Sequence, residues 1–472
     1  MVLSAYWCYR FNSCQSCTIL ATCAPFLFSI LSDAALLQRR VMRDTAGMRS
    51  KLMSKQSPPR KSHLQVLFIN DTSRNGGPGR TLLDILKFLD ATCVSRSVLI
   101  PHEGIVSQRL IDAKVVEELS FEPWLIENLF EPLSRQIERS DFDAPLPLKL
   151  VRVVGNIFRA AIAVTRLIYR VRVERYDVVF CNGTTANFVG GAIAALTGTP
   201  VIWHIFYPSV AWPIRRLHEF LAARKNVRSL VCVSQPTARQ FAWCRHKLHI
   251  IHDALDIDEF DAGATPPALR TEFSIAPDAV IFGTYGRILR RKGVIEFIRA
   301  ARIVVDKLDA PERSHCAFVV LGDTPQDMQP DHVAECRALV HELQLSEFVY
   351  FIGFRPEVRP YVGDFDVVAV PSVYDDPLPR TVMEAMALSK PVVAFNVGGI
   401  GEMIDDNVEG RLVRGVPPDV DGLAAACLAY FHDAELRRRH GMAARQRVEK
   451  EFDARSHAKV LQNEMFRVVN GD

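Results

Sequence analysis

Between His63 and Val413 one pattern keeps returning. A short, nearly unbroken run of Val, Ile, Leu and Phe is followed by a turn rich in Gly, Pro, Asn or Asp. A longer stretch then carries apolar residues every three or four positions. The runs in the first half are HLQVLFIND (63–71), SVLIP (97–101), DVVFCNG (177–183), PVIWHIF (200–206), LVCVS (230–234) and LHIIHDA (248–254). In the second half they are AVIFGTYGR (279–287), CAFVVLGD (316–323), FVYFIGF (348–354), DVVAVPS (366–372), PVVAFNVGG (391–399) and GRLV (410–413). Runs without polar alternation are strands buried on both faces, which is the signature of parallel sheets. Stretches such as GVIEFIRAARIVVDKL (293–308) supply the crossover helices that parallel strands require. The pattern predicts an α/β chain of two doubly wound, Rossmann-like domains.

The break between the two series falls in ALDIDEFDAGATPPALR (254–270), which is acidic and carries Gly263 and a Pro-Pro pair. The expected division is a leader over 1–60, a first domain over 61–255 and a second over 256–450. Residues 451–472 are expected to form a C-terminal helix that returns to the first domain. A length of 472 residues fits two cores better than one. The leader holds the stretch CTILATCAPFLFSILSDAALL (17–37), broken by Pro25 and apolar for only about 15 residues before Ser32 and Asp33, short of the roughly 20 residues of a membrane span. A start at Met48 or Met53 is the favoured reading of this region, ahead of a membrane anchor or a signal peptide.

Composition narrows the partners. The net charge of +3 argues against nucleic-acid binding driven by bulk charge and leaves room only for a local basic face. Of 11 cysteines, four crowd the first 25 residues, and the other seven are scattered singly, as reduced core residues of a cytoplasmic protein would be. One predicted helix, LKLVRVVGNIFRAAIAVTRLIYRVRVERY (148–176), is apolar with seven interspersed Lys and Arg residues. It reads either as a crossover helix with a basic outer stripe, which is favoured, or as a peripheral contact with an anionic membrane face.

In open α/β sheets ligands bind beyond the carboxyl ends of the strands, so the residues that follow each strand carry the chemistry. After the first strand, Gly76, Gly77 and Gly79 lead into a helix, where glycines allow close approach of backbone to an anion. After strand 279–285 comes Gly286-Arg287, then Lys292-Gly293; two fixed cations there suit a diphosphate. After strand 366–372, Asp376 lies in a loop and Glu384 in the first turns of a helix beginning near Pro379 or Thr381. Carboxylates only accept hydrogen bonds, so vicinal hydroxyls are their natural partners: a ribose for Glu384, a second sugar for Asp376. Backbone N–H groups at Leu378 and Arg380 can hold phosphate between them. Ribose, diphosphate and sugar, in that order, make a nucleoside diphosphate sugar.

The same residues carry a family resemblance. Asp376-Pro-Leu-Pro, Glu384-Ala-Met-Ala, Pro391-Val-Val-Ala and Gly398-Gly399-Ile-Gly-Glu402 resemble the E-x7-E region of retaining glycosyltransferases of family 4, which have the glycosyltransferase B fold. Gly286 to Gly293, VCVSQPTARQF (231–241) and HIIHDALD (249–256) extend the likeness to roughly residues 63–460. The chain departs from the pattern in having Asp376 where the family has Glu, Asp253-Ala254 where Asn-Gly is common, and Pro379 where Gly often supplies an N–H.

The resemblance implies two domains facing across a cleft and a nucleotide-sugar donor bound by the second. It implies retaining transfer to a glycan or lipid-linked acceptor of cell-surface polysaccharide synthesis, with no metal and no other cofactor. Asp376, Arg287 and Lys292 would act in catalysis, with a first-domain histidine best matched by His204, ahead of His252. Glu384, Gly76, Gly77, Leu378, Arg380, Gly286, Gly399 and Glu402 would hold the donor, and Phe354 would border its base. The rival readings are a nucleotide-sugar epimerase of the same fold and a catalytically silent, membrane-apposed scaffold that retains a nucleotide site. The expected location is the cytoplasm, at or near the inner face of the membrane.

Overall fold

The computed structural model describes residues 60–471, apart from residues 75, 127–144, 211, 261–265, 267 and 326–330. The leader, with its four cysteines and both candidate start methionines, lies outside the described residues. So do parts of the segments 102–147 and 254–270.

Thirteen strands form two sheets. The first joins β1 (Leu64–Asn70), β2 (Val94–Ile100), β3 (Glu118–Phe121), β4 (Val178–Asn182), β5 (Val201–Ile205), β6 (Val227–Cys232) and β7 (Leu248–Ile250) in the order β3-β2-β1-β4-β5-β6-β7. The second joins β8 (Val280–Tyr285), β9 (Cys316–Leu321), β10 (Val349–Gly353), β11 (Val367–Val370), β12 (Val392–Asn396) and β13 (Gly410–Arg414) in the order β10-β9-β8-β11-β12-β13. Every pairing is parallel. Both faces of each sheet are therefore covered, which is why the strands read as continuous apolar runs. Successive residues of one strand feed opposite cores: Val66 and Phe68 one, Leu67 and Ile69 the other.

The strand orders locate the crevices. Each order reverses direction once, between β1 and β4 in the first sheet and between β8 and β11 in the second. At such a switch point neighbouring loops leave in opposite directions and open a crevice at the strands' carboxyl ends. The Gly76-Gly77 turn follows β1. The Gly286–Gly293 turn follows β8, and the Asp376 loop follows β11.

Eight helices bear on the crevices and their surroundings: α1 (Gly77–Phe88), α2 (Leu146–Glu174), α3 (Thr184–Thr197), α4 (Val294–Lys307), α5 (Arg380–Ala387), α6 (Val420–His432), α7 (Ala434–Glu451) and α8 (Ala454–Asn470). Asp453 caps α8 by accepting from the Ser456 N–H at 3.1 Å. Leu461, Met465 and Val468 of α8 are buried with α1 and strands of the first sheet. The chain thus crosses between the sheets twice, and the two crossings are joined: the Leu255 N–H donates to the Phe452 carbonyl and the Ala454 N–H to the Leu255 carbonyl, each at 3.0 Å.

Helix α2 runs for 29 residues and has exposed apolar side chains in both halves, Tyr169 and Val173 in the second among them. Ala163, Leu167 and Val171 in its second half are buried, at spacings of four that form one stripe. In its first half Leu148, Val151, Val154 and Phe158 are exposed, Phe158 at 66%. Among the described residues no helix is long and apolar enough to cross a membrane. The seven described cysteines are all free, and all but Cys93 are buried.

Candidate active site

Three clusters meet where the two sheets' carboxyl ends approach each other. The first lies at the β8–β11 switch point. After β8 the chain turns through Gly286 and Arg287 and enters α4 at Gly293, whose φ of +73° is left-handed. A Cβ there would stand 1.7 Å from the Pro371 carbonyl oxygen, so only glycine fits. That close approach brings the end of β11 against the basic turn. Lys292 Nζ lies 2.6 Å from Asp376 Oδ2, and Ser372 Oγ donates to the same oxygen at 3.2 Å. Burial, the largest influence, would lower the Lys292 pKa, but the charges of Asp376 and Tyr374 and the hydrogen bond to Asp376 together outweigh it and the pKa is raised. Lys292 and Arg291 also stand over the Tyr374 ring, at 5.4 and 5.1 Å from its centre. Arg287 is exposed in the same turn.

Asp376 is buried, and its carbonyl accepts the Gly399 N–H at 2.8 Å. The Gly398-Gly399 turn is therefore packed directly on the Asp376 loop. Leu378 is buried beside it, and α5 begins at Arg380 after an extended Pro379. The first N–H groups of α5 have no partner within the helix.

The second cluster spans both domains. Glu384 is buried on α5, and its Oε1 accepts from Arg80 Nη1 of α1 at 3.0 Å. Arg380 Nη2 lies 2.9 Å from Asp84 of α1, and its Nη1 donates to the Ala254 carbonyl at 3.0 Å. A Cβ on Gly77 would stand 4.0 Å from Arg380 Cδ, which sets the glycine turn opposite the start of α5. At Gly76 the same position faces open space. Burial raises Asp84 from 3.8 to about 7, although Arg380 pulls it down.

The third cluster lies at the carboxyl ends of β1, β4 and β5. His204 Nδ1 is 3.0 Å from Asn182 Oδ1. The Asn182 amide donates to Asn70 Oδ1 at 2.6 Å and to the Pro78 carbonyl at 2.9 Å. Asn182 therefore offers His204 an acceptor, so Nδ1 carries the proton and Nε2 keeps its lone pair. Burial, and then the neighbouring His457, hold His204 well below its ordinary pKa, so the ring is neutral. Nε2 has no hydrogen-bond partner among the described residues.

The remaining candidates lie outside these clusters. Glu402 accepts from the Gln235 N–H at 2.9 Å and lies 3.0 Å from His252 Nε2, so it ties the second domain to the first. Phe354 is 57% exposed beyond β10, two strands from the switch point. Arg80, Asp84, Asn70 and Asn182 were not singled out from the sequence. The asparagines carried a signal, since each is a polar residue closing an apolar run at a strand's carboxyl end.

The arrangement sets a lysine, a helix N-terminus and two buried carboxylates around one crevice. Positive groups there stabilise charge that builds on phosphate oxygens, and the carboxylates accept from hydroxyls.

Residues 267–447 match the model of the family described as Glycosyl transferases group 1. The alpha-maltose-1-phosphate synthase of Mycobacterium tuberculosis is 32% identical over 215 residues, which cover 43% of this chain and 53% of that one. The chain thus matches about half the length of that relative. The UDP-Gal:alpha-D-GlcNAc-diphosphoundecaprenol alpha-1,3-galactosyltransferase of Escherichia coli is 20% identical over 56% of this chain and 68% of its own. Among solved structures, Anabaena Alr3699/HepE in complex with UDP superposes with a TM-score of 0.67 at 20% identity, covering 85% of this chain and 99% of that one. This likeness is one of fold. Residues 267–447 are thus similar to group 1 glycosyltransferases, and the two parallel sheets share the fold of the Anabaena protein.

Proposed function

We propose that the protein moves a sugar from a nucleoside diphosphate sugar, UDP- or GDP-linked, to a glycan or lipid-linked acceptor with retention of anomeric configuration. The observation that carries this reading is the Lys292–Asp376 pair at the β8–β11 switch point, beside the N-terminus of α5 and eight residues before the buried Glu384. The solved Anabaena complexes with UDP and with UDP-glucose favour UDP as the first donor to try.

In the proposed reaction the bond between the anomeric carbon and the diphosphate oxygen breaks and its electron pair goes to that oxygen, while the acceptor hydroxyl oxygen bonds to the anomeric carbon from the same face and its proton passes to the departing phosphate. Lys292, Arg287 and the first N–H groups of α5 stabilise the charge that forms. Glu384 accepts from the ribose, and Asp376 from the sugar. His204 enters with a neutral ring whose Nε2 is an acceptor. The glycine turn at Gly76 and Gly77 and the Gly399 turn bring backbone to the donor. Glu402 acts in the same reading by tying the two domains together, and Phe354 borders the base. No metal is required, because these groups supply the positive charge.

The test is product formation from UDP-glucose, UDP-galactose and the GDP-sugars with lipid-linked saccharide acceptors, with the anomer of the product read by NMR. A new glycoside of the donor's own configuration is expected. Inversion would overturn retention. A donor-sugar epimer without acceptor transfer would favour the epimerase, and nucleotide binding without any product the silent scaffold.

The exposed first half of α2 favours a membrane-side acceptor. Leu148, Val151, Val154 and Phe158 lie at spacings of three and four, beside the basic residues Arg152 and Arg159. Apolar side chains bordered by cations suit an anionic lipid surface. Phe158→Glu should reduce co-sedimentation with phosphatidylglycerol vesicles several-fold. Equal binding by the variant and the wild type would remove the membrane from this proposal.

A further inference from the structure

Helices α1 and α5 carry the same short pattern, an arginine followed four residues later by an acid: Arg80 and Asp84 on α1, Arg380 and Glu384 on α5. At that spacing each helix can pair its own charges along one face. The structure shows the pairs exchanged. Arg80 of α1 binds Glu384 of α5 at 3.0 Å, and Arg380 of α5 binds Asp84 of α1 at 2.9 Å. Within α5 the Arg380 Nε to Glu384 Oε1 distance is 3.8 Å, so the arginine already stands within reach of its own helix's acid. The side chains of Asp84, Glu384 and Arg380 are 8%, 5% and 12% exposed.

On α5 the exchange leaves Arg380 within reach of a second acid, Glu384, besides Asp84 of the other helix. Breaking a buried pair without replacement strands a charge and is strongly destabilising. Falling back to the acid on its own helix spares Arg380 that cost. The first helical hydrogen bond of α1, from the Arg80 N–H to the Gly76 carbonyl at 3.2 Å, fixes the arginine to the glycine turn. The turn and the arginine therefore reach α5 as one unit.

Resting on the proposed donor site, we infer that Arg80 is a positioning residue for the donor, delivered from the opposite domain by this exchange of arginines. It fixes the rotamer of Glu384 by occupying one acceptor position of the carboxylate. A carboxylate offers about four such positions, so hydroxyls of a ribose are still accepted. Arg80 acts through Glu384 on the ribose and not directly on the diphosphate.

The test is calorimetric titration of the full chain with UDP, with GDP in parallel, and with inorganic pyrophosphate, which lacks the ribose. Arg80→Ala is expected to weaken the nucleotide about tenfold and to leave pyrophosphate unchanged. In a Glu384→Ala background it should cost nothing further, because the two side chains act as one unit. Arg80→Lys should recover part of the loss, and it carries the same comparison should the alanine variant prove unstable. Equal weakening of pyrophosphate and nucleotide would overturn the inference, as would additive losses or wild-type affinity in Arg80→Ala. Wild-type affinity in Glu384→Ala, or no binding of either nucleotide, would overturn the donor reading as well. Weak binding by Glu384→Ala with normal binding by Arg80→Ala would overturn this inference alone.

Discussion

At the scale of single residues, Lys292 and Asp376 hold each other at 2.6 Å in the crevice where, in the proposed reaction, a leaving diphosphate would need positive charge. Lys292→Met keeps the length of the side chain and removes the cation. Loss of one preorganised electrostatic donor typically costs about 10²–10³ in turnover. A fall in kcat of that order is the expected outcome, together with a lower melting temperature, because the buried Asp376 is left without its cation. Unchanged turnover would remove Lys292 from the chemistry. Each residue of this pair was legible in the sequence, because each follows a strand at its carboxyl end. Their contact was not, since it depends on how closely Gly293 approaches Pro371. Arg80 was invisible for the same kind of reason: its partner Glu384 is 304 positions away. Only the apposition of two helices brings them together.

At the scale of elements, every strand but β3 was anticipated as an apolar run. β3 (Glu118–Phe121) lies at the sheet edge and buries no residue fully. An edge strand with partial burial has no reason to be continuously apolar, so periodicity passes over it. The turn before α4 is the element on which the site most depends. Gly293→Ala adds a Cβ at a left-handed φ and against a carbonyl oxygen. A non-glycine residue in that region costs about 1–2 kcal/mol before any clash. The variant is expected to lose at least that much in urea unfolding and to lose turnover with it. Wild-type values for both would show that the turn is not held as described. Helix α2 was legible in extent and in basic character. Which of its apolar residues are buried was not, because they are too numerous to indicate which of them meet the sheet.

At the scale of the whole molecule, two parallel sheets follow directly from the patterning, and their switch points set the loops that carry the candidate motifs. The contacts between domains were beyond the sequence. Thr81, Asp84, Asp253 and Arg380 form a buried polar seam, joined by the Thr81 hydroxyl to Asp253 and by Arg380 to Asp84. Burial lifts Asp84 to about 7. Arg380 opposes the shift, while Asp253 and Glu259 add to it. The folded chain therefore keeps a proton that the unfolded chain has lost once the pH passes the ordinary value of 3.8. The stability this proton contributes is complete below pH 3.8 and is lost as the pH rises through about 7. Asp84→Asn cannot ionise. Melting temperatures should show the variant gaining on the wild type as the pH rises across that window. Parallel profiles would mean that Asp84 is ionised throughout.

The central claim is a metal-free site for a nucleoside diphosphate in which Glu384 holds the ribose. Calorimetric titration of UDP and GDP into the full chain and its Glu384→Ala variant, in EDTA, tests it most directly. One nucleotide should bind the wild type and bind the variant more weakly by about 1–3 kcal/mol, the cost of leaving buried hydroxyls unpaired. Equal affinity in the two proteins, or no binding without a divalent ion, would contradict it.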